Sequence, residues 1–315
     1  MHSLSSLGLS PENKKSKQVV SISLGSAKRN STTTAEFCGQ QFEIKRIGTD
    51  GSKEAAAALI REMDGQVDAI GLGGTDLYIY AGRRRYTFRE SAALAANARI
   101  TPVVDGSAIK NTLERRVISY LISEYGFTFK DKQTLLVCAV DRFGLAEALS
   151  KAGSKTVFGD LMFGLGLPIP ITTLDGLARL ASFIAPVITK LPVSWFYPTG
   201  NKQTQVTPKF KKYFKQSDII AGDFHFIRRY MPESLAGKMV ITNTVTQEDE
   251  ELLKQRGVAA LITTTPEMGG RSFGTNILEG ILTVLSGKRP EQLTTEDYIA
   301  LINQAGIVPR FKKLT

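Results

Sequence analysis

Several side chains that could carry chemistry stand where predicted strands end and helices begin. Asp105 and Lys110 flank the start of a long predicted helix. Such a pair can pass a proton to and from a substrate hydroxyl while the ammonium holds the developing oxyanion. The alternative is that Lys110 faces solvent. His225, which follows another predicted strand, could act as an acid or base near neutral pH, or could simply be packed between its two phenylalanine neighbours.

A second group of candidates suits an anionic ligand. Arg228 could clamp a carboxylate or phosphate, or could lie in solvent. Thr263, Thr264 and Thr265 end a predicted strand and precede a glycine-rich stretch and a helix that starts near Asn276. Hydroxyls and free backbone N–H groups at such a place suit an anion or a nicotinamide amide, whereas Asn276 could equally cap the helix.

The pattern of apolar runs in the second half predicts a doubly wound parallel sheet, because strands alternate with crossover helices. The predicted strands are 134–140, 155–160, 193–196, 218–222, 239–243 and 259–264, and the predicted helices are 145–152, 174–188, 227–235, 247–256 and 276–285.

The first half predicts a smaller α/β domain. Its predicted strands are 18–24, 33–38, 41–47, 67–72 and 101–104, with a hairpin at 77–88 and helices at 52–63, 89–98 and 109–125. The last of these helices is the expected connector to the second half. We therefore expect a disordered tail at 1–17, a substrate domain at 18–125, a Rossmann-like nucleotide-binding domain at 126–290, and a C-terminal helix and tail at 291–315, in which the helix 295–304 packs back on the first domain.

In a doubly wound sheet the ligand lies beyond the carboxyl ends of the strands. After the first strand of the second half the turn reads Asp141-Arg142-Phe143-Gly144, so only one glycine of a dinucleotide fingerprint is present. The helix that follows still offers free N–H groups, which makes Asp141, Phe143 and Gly144 candidate cofactor contacts. Asp160 stands about twenty residues later, where an acid commonly binds the ribose hydroxyls of NAD, or where it could serve as a helix cap or turn residue.

Composition narrows the functional classes. The chain has 315 residues and a formal net charge of +10. The basic clusters are scattered and no nucleic-acid-binding motif accompanies them, so we expect a solvated surface that attracts small anions rather than nucleic acid. No apolar run is long enough to span a bilayer and no signal-peptide pattern begins the chain, which predicts a cytoplasmic protein without membrane association.

Cysteine and histidine usage argues against structural metal and disulfides. The chain contains two cysteines, Cys38 and Cys138, each inside an apolar strand pattern, and two histidines. We expect reduced, buried thiols and no metal site, since neither histidine has a partner at ligand spacing. The sequence does not fix the oligomeric state, and a homodimer is compatible with it.

The stretch 101–160 resembles the junction between the domains of shikimate and quinate dehydrogenases. The resemblance rests on Asn111-Thr112 and on residues 129–137 and 146–153. Residues 44–51, 73–80 and 223–232 are similar to bacterial proteins described as quinate 5-dehydrogenases. Where the family has Asn-Thr-Asp, whose aspartate pairs with the catalytic lysine, this chain has Asn111-Thr112-Leu113-Glu114, so the acidic partner is displaced or lost.

The resemblance implies an oxidoreductase that uses NAD or NADP and acts on a small hydroxylated carboxylic acid such as quinate or shikimate. The cofactor would lie near Gly144, Asp160 and 263–265. The substrate would lie in the cleft with the first domain, near Asp105, Lys110 and His225, and Asn111 is a further candidate contact. The alternative is a non-redox ligand-binding or regulatory protein that uses the same cleft for an anionic metabolite, and the missing glycines favour it.

Overall fold

The computed structural model describes residues 16–81, 84–192, 206–243, 245–268, 271–272 and 274–315. The predicted tail, except for its last two residues, and the predicted strand 193–196 lie outside the described residues. Residues 198–205, the first part of a polar and basic stretch at 198–215 that the sequence predicts to be a mobile loop, also lie outside them.

The helices and strands are as follows. The first half contains β1 (Lys17–Ser23), β2 (Ser31–Phe37), β3 (Gln40–Gly48), α1 (Lys53–Met63), β4 (Ala69–Gly73), β5 (Tyr78–Ala81), β6 (Arg84–Thr87), α2 (Arg89–Ala95), β7 (Val103–Val104) and α3 (Ser107–Tyr125). The second half contains β8 (Gln133–Leu136), α4 (Phe143–Lys151), β9 (Lys155–Phe158), α5 (Leu174–Ile188), α6 (Lys211–Gln216), β10 (Ile219–Ala221), α7 (Phe224–Tyr230), β11 (Met239–Thr242), α8 (Gln247–Gln255), β12 (Ala260–Thr263), β13 (Glu267–Met268), β14 (Arg271–Ser272), α9 (Thr275–Ser286), α10 (Thr295–Gln304) and β15 (Arg310–Lys313).

The first sheet has five strands in the order β2-β3-β1-β4-β7. Neighbouring strands from β3 to β7 are parallel, and β2 joins the edge as an antiparallel hairpin partner of β3. Gly39 occupies the left-handed region at φ 73° in the hairpin turn, a conformation that glycine adopts without strain. Cys38, which we expected to be buried, is exposed beside that turn.

The second sheet has six strands in the order β15-β12-β11-β10-β8-β9. The five strands from β12 to β9 are parallel, and β15 adds an antiparallel edge. Strand order reverses between β8 and β10, because β9 lies on one side of β8 and the later strands lie on the other. The prediction of a doubly wound, Rossmann-like sheet preceded by a smaller α/β domain is therefore confirmed.

The C-terminal helices pack on the first sheet. Ile277 and Ile281 of α9 lie in one buried cluster with Val19 of β1 and Ala69 of β4, and Tyr298 of α10 joins the same cluster. The sequence places the helix at 276–285 in the second domain, but its apolar face is buried against the first. The chain then returns to the second sheet, where Arg310 and Lys312 of β15 pair with Glu250.

Among the described residues, no helix combines the length and the apolar character needed to cross a membrane. The helix α3 is the longest, with 19 residues, and it carries Lys110, Glu114 and two arginines. It leads from the first sheet to the second, so its first turns can place side chains between the two.

Candidate functional site

The carboxyl ends of both parallel sheets line one cleft. The cleft encloses a cavity of about 160 Å³. From the first sheet come the ends of β1 and β4, and from the second come the segments that follow β8, β10 and β11. The cavity thus lies at the reversal of strand order, where doubly wound folds place their ligands. The charged side chains that line it are Arg29, Arg46, Lys110 and Arg142 together with Asp76, Asp105, Asp141 and Asp223.

Lys110 occupies the junction between the two sheets. Its Nζ donates to Oδ2 of Asp141 at 3.0 Å and to Oδ1 of Asp76 at 3.4 Å, and its side chain is 10% exposed. Burial alone would lower the pKa of Lys110, but Asp141 and Asp76 outweigh it and raise that pKa above its ordinary value. The side chain therefore does not face solvent. It supplies a fixed positive charge and is poorly suited to accept a proton.

Asp141 lines the cleft, and one of its two carboxylate oxygens lacks a conventional donor. Its Oδ2 is taken by Lys110, whereas no described residue donates a conventional N–H or O–H hydrogen bond to its buried Oδ1. The thiol of Cys138, a weak donor, lies beside this carboxylate, and burial raises the pKa of that thiol well above its ordinary value. A ligand hydroxyl or ammonium could satisfy Oδ1 of Asp141, because a buried carboxylate oxygen without a donor is costly.

Arg142 forms a second buried ion-pair cluster. Its guanidinium donates to Glu114 of α3 at 2.5 Å and to Asp223, after β10, at 3.0 Å. Asn243, after β11, donates to the same oxygen of Asp223 at 3.1 Å. Burial would raise the pKa of Asp223, but the His225 ring and the Arg142 guanidinium outweigh it and lower that pKa to about 2. The floor of the cleft is therefore a network of fixed charges.

His225 follows a strand of the second sheet and contacts a residue that follows a strand of the first sheet. Nη1 of Arg29, which follows β1, lies 3.2 Å from Nε2 of His225. Since a guanidinium only donates hydrogen bonds, Nε2 accepts and the neutral ring carries its proton on Nδ1. Burial lowers the pKa of His225, Asp223 opposes this effect, and the charge of Arg29 adds to it. His225 is thus a neutral residue that joins the two walls.

The wall formed by the first sheet is polar. Arg46 of β3 donates to Oγ of Ser23 at 3.0 Å and to the backbone oxygen of Ser26 at 3.0 Å. Asn276, in the first turn of α9, donates to Oγ of Ser21 at 2.8 Å. Asn276 therefore lines the cavity, as predicted for a substrate contact, and at the same time fixes α9 to β1.

Asp105 lines the cavity, but both of its carboxylate oxygens accept hydrogen bonds from neighbouring residues. One carboxylate oxygen accepts from the backbone N–H groups of Leu77 and Tyr78, and the other accepts from the backbone N–H and hydroxyl of Ser107. These bonds fix the start of α3 to the loop after β4. Asp105 therefore positions the start of α3, which corrects the prediction that it carries a proton.

A second carboxyl group, Glu279 of α9, lies buried near the same helix end. Tyr298 donates to its Oε1 at 3.4 Å. Burial and the neighbouring charge of Asp105 raise the pKa of Glu279 to about 8. Glu279 is therefore mostly protonated at neutral pH.

The turn predicted to hold a cofactor is occupied by side chains of the chain itself. Oδ1 of Asp160 accepts from the backbone N–H groups of Ala139 at 2.9 Å and Val140 at 2.8 Å. Oδ1 of Asn111 accepts from the backbone N–H of Gly144 at 2.9 Å. Asp160 therefore acts as a turn residue, the alternative weighed for it, and Asn111 ties α3 to α4 instead of facing a substrate.

Other predicted contacts also lie outside the cavity. Phe143 is buried in the core between α3, α4 and the second sheet. The hydroxyls of Thr263 and Thr265 donate to backbone oxygens, and Thr264 is buried beside them. Arg228 donates to Asp249 at 2.6 Å and also pairs with Glu248. These side chains are buried or bonded within the fold and do not line the cavity, which corrects the cofactor and substrate roles predicted for them.

Sequence reasoning missed the residues contributed by the first sheet. Four residues of the first half that line the cavity were not predicted, although the rule that ligands lie beyond the carboxyl ends of parallel strands also holds for the first sheet. They are Ser21, Ser23, Arg29 and Arg46. The same rule applied to β1 would have found the serines. Arg142 was noted only as a residue that replaces a glycine.

These features define the class: a doubly wound α/β protein with a charged ligand cleft between two parallel sheets. Residues 108–314 match a family described as a domain of unknown function, DUF8754, and residues 18–105 match another, DUF8753. The first match spans more than half of the chain, which therefore belongs to the DUF8754 family. A search of curated protein sequences found no match.

Solved structures similar to the chain include several kinds of protein. Glutamate dehydrogenase from Thermus thermophilus is 12% identical, with 92% of this chain and 73% of that chain covered and a TM-score of 0.45. An ABC transporter solute-binding protein from Burkholderia multivorans is 12% identical over 95% and 99%, with a TM-score of 0.38. An NAD-dependent malic enzyme from Thermotoga maritima is 10% identical over 93% and 85%, with a TM-score of 0.32.

Proposed function

We propose that the chain binds a small hydroxylated carboxylic acid in the cleft between its two sheets and does so without a nicotinamide cofactor. The observation that carries the proposal is the arrangement around Lys110. Lys110 and Asp141 line one cavity as a hydrogen-bonded pair, and Oδ1 of Asp141 has no conventional donor among the described residues. A ligand hydroxyl can accept from the ammonium and donate to the carboxylate at the same time.

Other residues that line the same cavity supply groups for a carboxylate. Arg29 and Arg46 line the cavity together with the first turn of α9, at Thr275 and Asn276. Guanidinium groups recognise carboxylates well, and a helix N-terminus favours a negative charge. The hydroxyl and carboxylate ends of one ligand would then contact different groups that line the same cavity.

Cavity size and charge also favour a small ligand. A volume of about 160 Å³ lies below the roughly 300 Å³ at which pockets for drug-sized ligands usually begin. Four cationic side chains face four carboxylates across the lining, so the cavity has no large excess of positive charge for a diphosphate. A ligand with one carboxylate and several hydroxyls fits this balance better than a dinucleotide.

Isothermal titration calorimetry with quinate and shikimate tests the proposal. We expect Arg46→Met to weaken binding at least about tenfold, since a charge-assisted hydrogen bond contributes about 1.5–3 kcal/mol. Arg228→Met is the matched control: it removes an arginine outside the cavity and should leave affinity unchanged. Equal affinity in wild type and Arg46→Met, or no binding of any hydroxylated acid at millimolar concentration, would contradict the proposal.

A second candidate function is NAD(P)-dependent oxidation of such an acid. It is favoured by the position of Lys110 at the carboxyl end of β8, where its ammonium could stabilise an oxyanion at the substrate oxygen. The hydride would leave the hydroxyl-bearing carbon for the oxidised cofactor, and the hydroxyl proton would pass to solvent. Fluorescence titration with NADH and NADPH separates the two candidates, because saturable binding of either cofactor would favour the oxidoreductase.

A further inference from the structure

We infer that the turn after β8 is an oxyanion site that Asp160 fills from within, so that the phosphate of a dinucleotide is excluded from the place where doubly wound folds commonly hold one. The turn adjoins the ligand cleft, which its next residues Asp141 and Arg142 line, but Asp160 itself is not a lining residue and its contacts do not depend on what the cleft binds. The Asp160 carboxylate binds the backbone donors that a cofactor phosphate binds in other doubly wound folds.

The geometry of the turn carries the inference. Two consecutive backbone N–H groups, those of Ala139 and Val140, converge on a single oxygen of Asp160 at 2.9 and 2.8 Å. Convergent backbone donors ahead of a helix are the arrangement that binds phosphate oxygens in nucleotide folds. The helix that follows, α4, has nine residues, and its dipole adds to the attraction for a negative charge.

The position of Asp160 in the chain separates this role from ordinary capping. Asp223 caps its own helix by accepting from the N–H of His225, two residues later. Asp160 instead reaches the turn of a neighbouring strand, twenty residues earlier in the chain. The residue is 8% exposed, and its second oxygen has no hydrogen-bond partner among the described residues. A buried carboxylate held in this way behaves as a bound anion that is attached to the chain.

The rest of the turn is closed by related contacts. The N–H of Gly144 is taken by Asn111, and a Cβ on Gly144 would come within 2.6 Å of the backbone oxygen of Asn111. The glycine is thus required for close contact between α3 and α4, not for the approach of a phosphate. A dinucleotide would have to displace Asp160 and also separate these two helices.

Removal of the Asp160 carboxylate should create an empty site for a small oxyanion. Asp160→Ala lacks only the carboxylate, so formate is the matching probe, and inorganic phosphate tests the larger group. We expect formate to raise the Tm of Asp160→Ala by about 2 °C or more beyond its effect on wild type, because an anion that binds only the folded state stabilises it. Sodium chloride at equal ionic strength controls for screening.

Asp160→Asn is the matched control. Its amide oxygen still accepts from both N–H groups, so formate should raise its Tm no more than that of wild type. If Asp160→Ala does not fold, Asp160→Ser replaces it with the same expectation. Equal effects of formate on wild type and on the alanine or serine variant would overturn the inference. So would saturable binding of NADPH to wild type that Asp160→Asn leaves unchanged.

Discussion

Nη1 of Arg29 lies 3.2 Å from Nε2 of His225, although 196 residues separate them in the chain. The contact joins the segment after β1 to the segment after β10, and so links the carboxyl edges of the two sheets across the cavity. It also fixes the tautomer of the only histidine among the described residues.

Arg29→Met should raise the pKa of His225. Burial is the main cause of the lowered pKa of this histidine, but the positive charge of Arg29 adds to it and is removed by the substitution. NMR titration of the imidazole resonances would measure the change. The chain contains only one other histidine, His2, so His2→Ala gives an unambiguous background. Arg115→Met, which breaks the exposed pair with Glu147, is the control. An unchanged pKa in Arg29→Met would contradict the contact.

Lys110→Met should destabilise the fold by about 3–5 kcal/mol, because it leaves Asp141 and Asp76 without the ammonium that compensates their charge. Adding Asp141→Asn should recover part of that loss, since the neutral amide tolerates burial without a cation. Urea unfolding of the two single variants and the double variant would give the coupling energy. Additive losses in the double variant would show that the two side chains do not interact.

Glu279→Gln should flatten the pH dependence of stability. The pKa of Glu279 is about 8 in the folded chain, against 4.5 for an ordinary glutamate. Between these values the folded chain binds the proton that the unfolded chain releases, so the free energy of unfolding falls as pH rises through the window. The loss attributable to Glu279 is on the order of 5 kcal/mol at most.

Urea unfolding at pH 5, 7 and 9 would measure this effect. As pH rises, the free energy of unfolding of wild type should fall more than that of Glu279→Gln, so the variant gains stability relative to wild type. Glu36→Gln, at an exposed position on β2, controls for the change in net charge. A constant difference between wild type and Glu279→Gln across this range would rule out a raised pKa.

Gly106→Ala should be costly, whereas Gly126→Ala should be mild. Both glycines have positive φ, 92° and 60°, but a Cβ on Gly106 would come within 2.3 Å of Oγ1 of Thr275, and a Cβ on Gly126 would meet nothing within 4 Å. We expect about 1 kcal/mol for Gly126→Ala and about 3 kcal/mol or more for Gly106→Ala. Thermal unfolding of both variants would test this, and similar losses would show that α9 does not approach α3 so closely.

The sequence predicted the bounds of helices and strands better than it predicted which of them pack together. Apolar periodicity located α5 and α10 at the bounds that the structure has. Periodicity cannot tell which sheet a helix covers, however. The helix α9 has an apolar face that would suit either sheet, and only the three-dimensional packing decides that it covers β1 and β4.

The site was predictable where strand ends determine position. Lys110, Asp141 and His225 were chosen because they follow or face carboxyl ends, and the structure brings them to one cavity. Thr263 to Thr265 also follow a strand, but β12 lies two strands away from the reversal of strand order. Strand order is a long-range property that local patterns do not encode. For the same reason the donors that Asp160 accepts from could not be read from its own neighbourhood.

The course of the chain between the sheets has a mechanical consequence. The chain passes from one sheet to the other three times: after α3, between β12 and α9, and between α10 and β15. Three connections leave less freedom than a single linker, so any opening of the cleft is restricted to a hinge-like rotation about the crossings. A single cut in the backbone between α3 and β8 would not release the first sheet, since α9 on the other fragment would still hold β1 and β4 together.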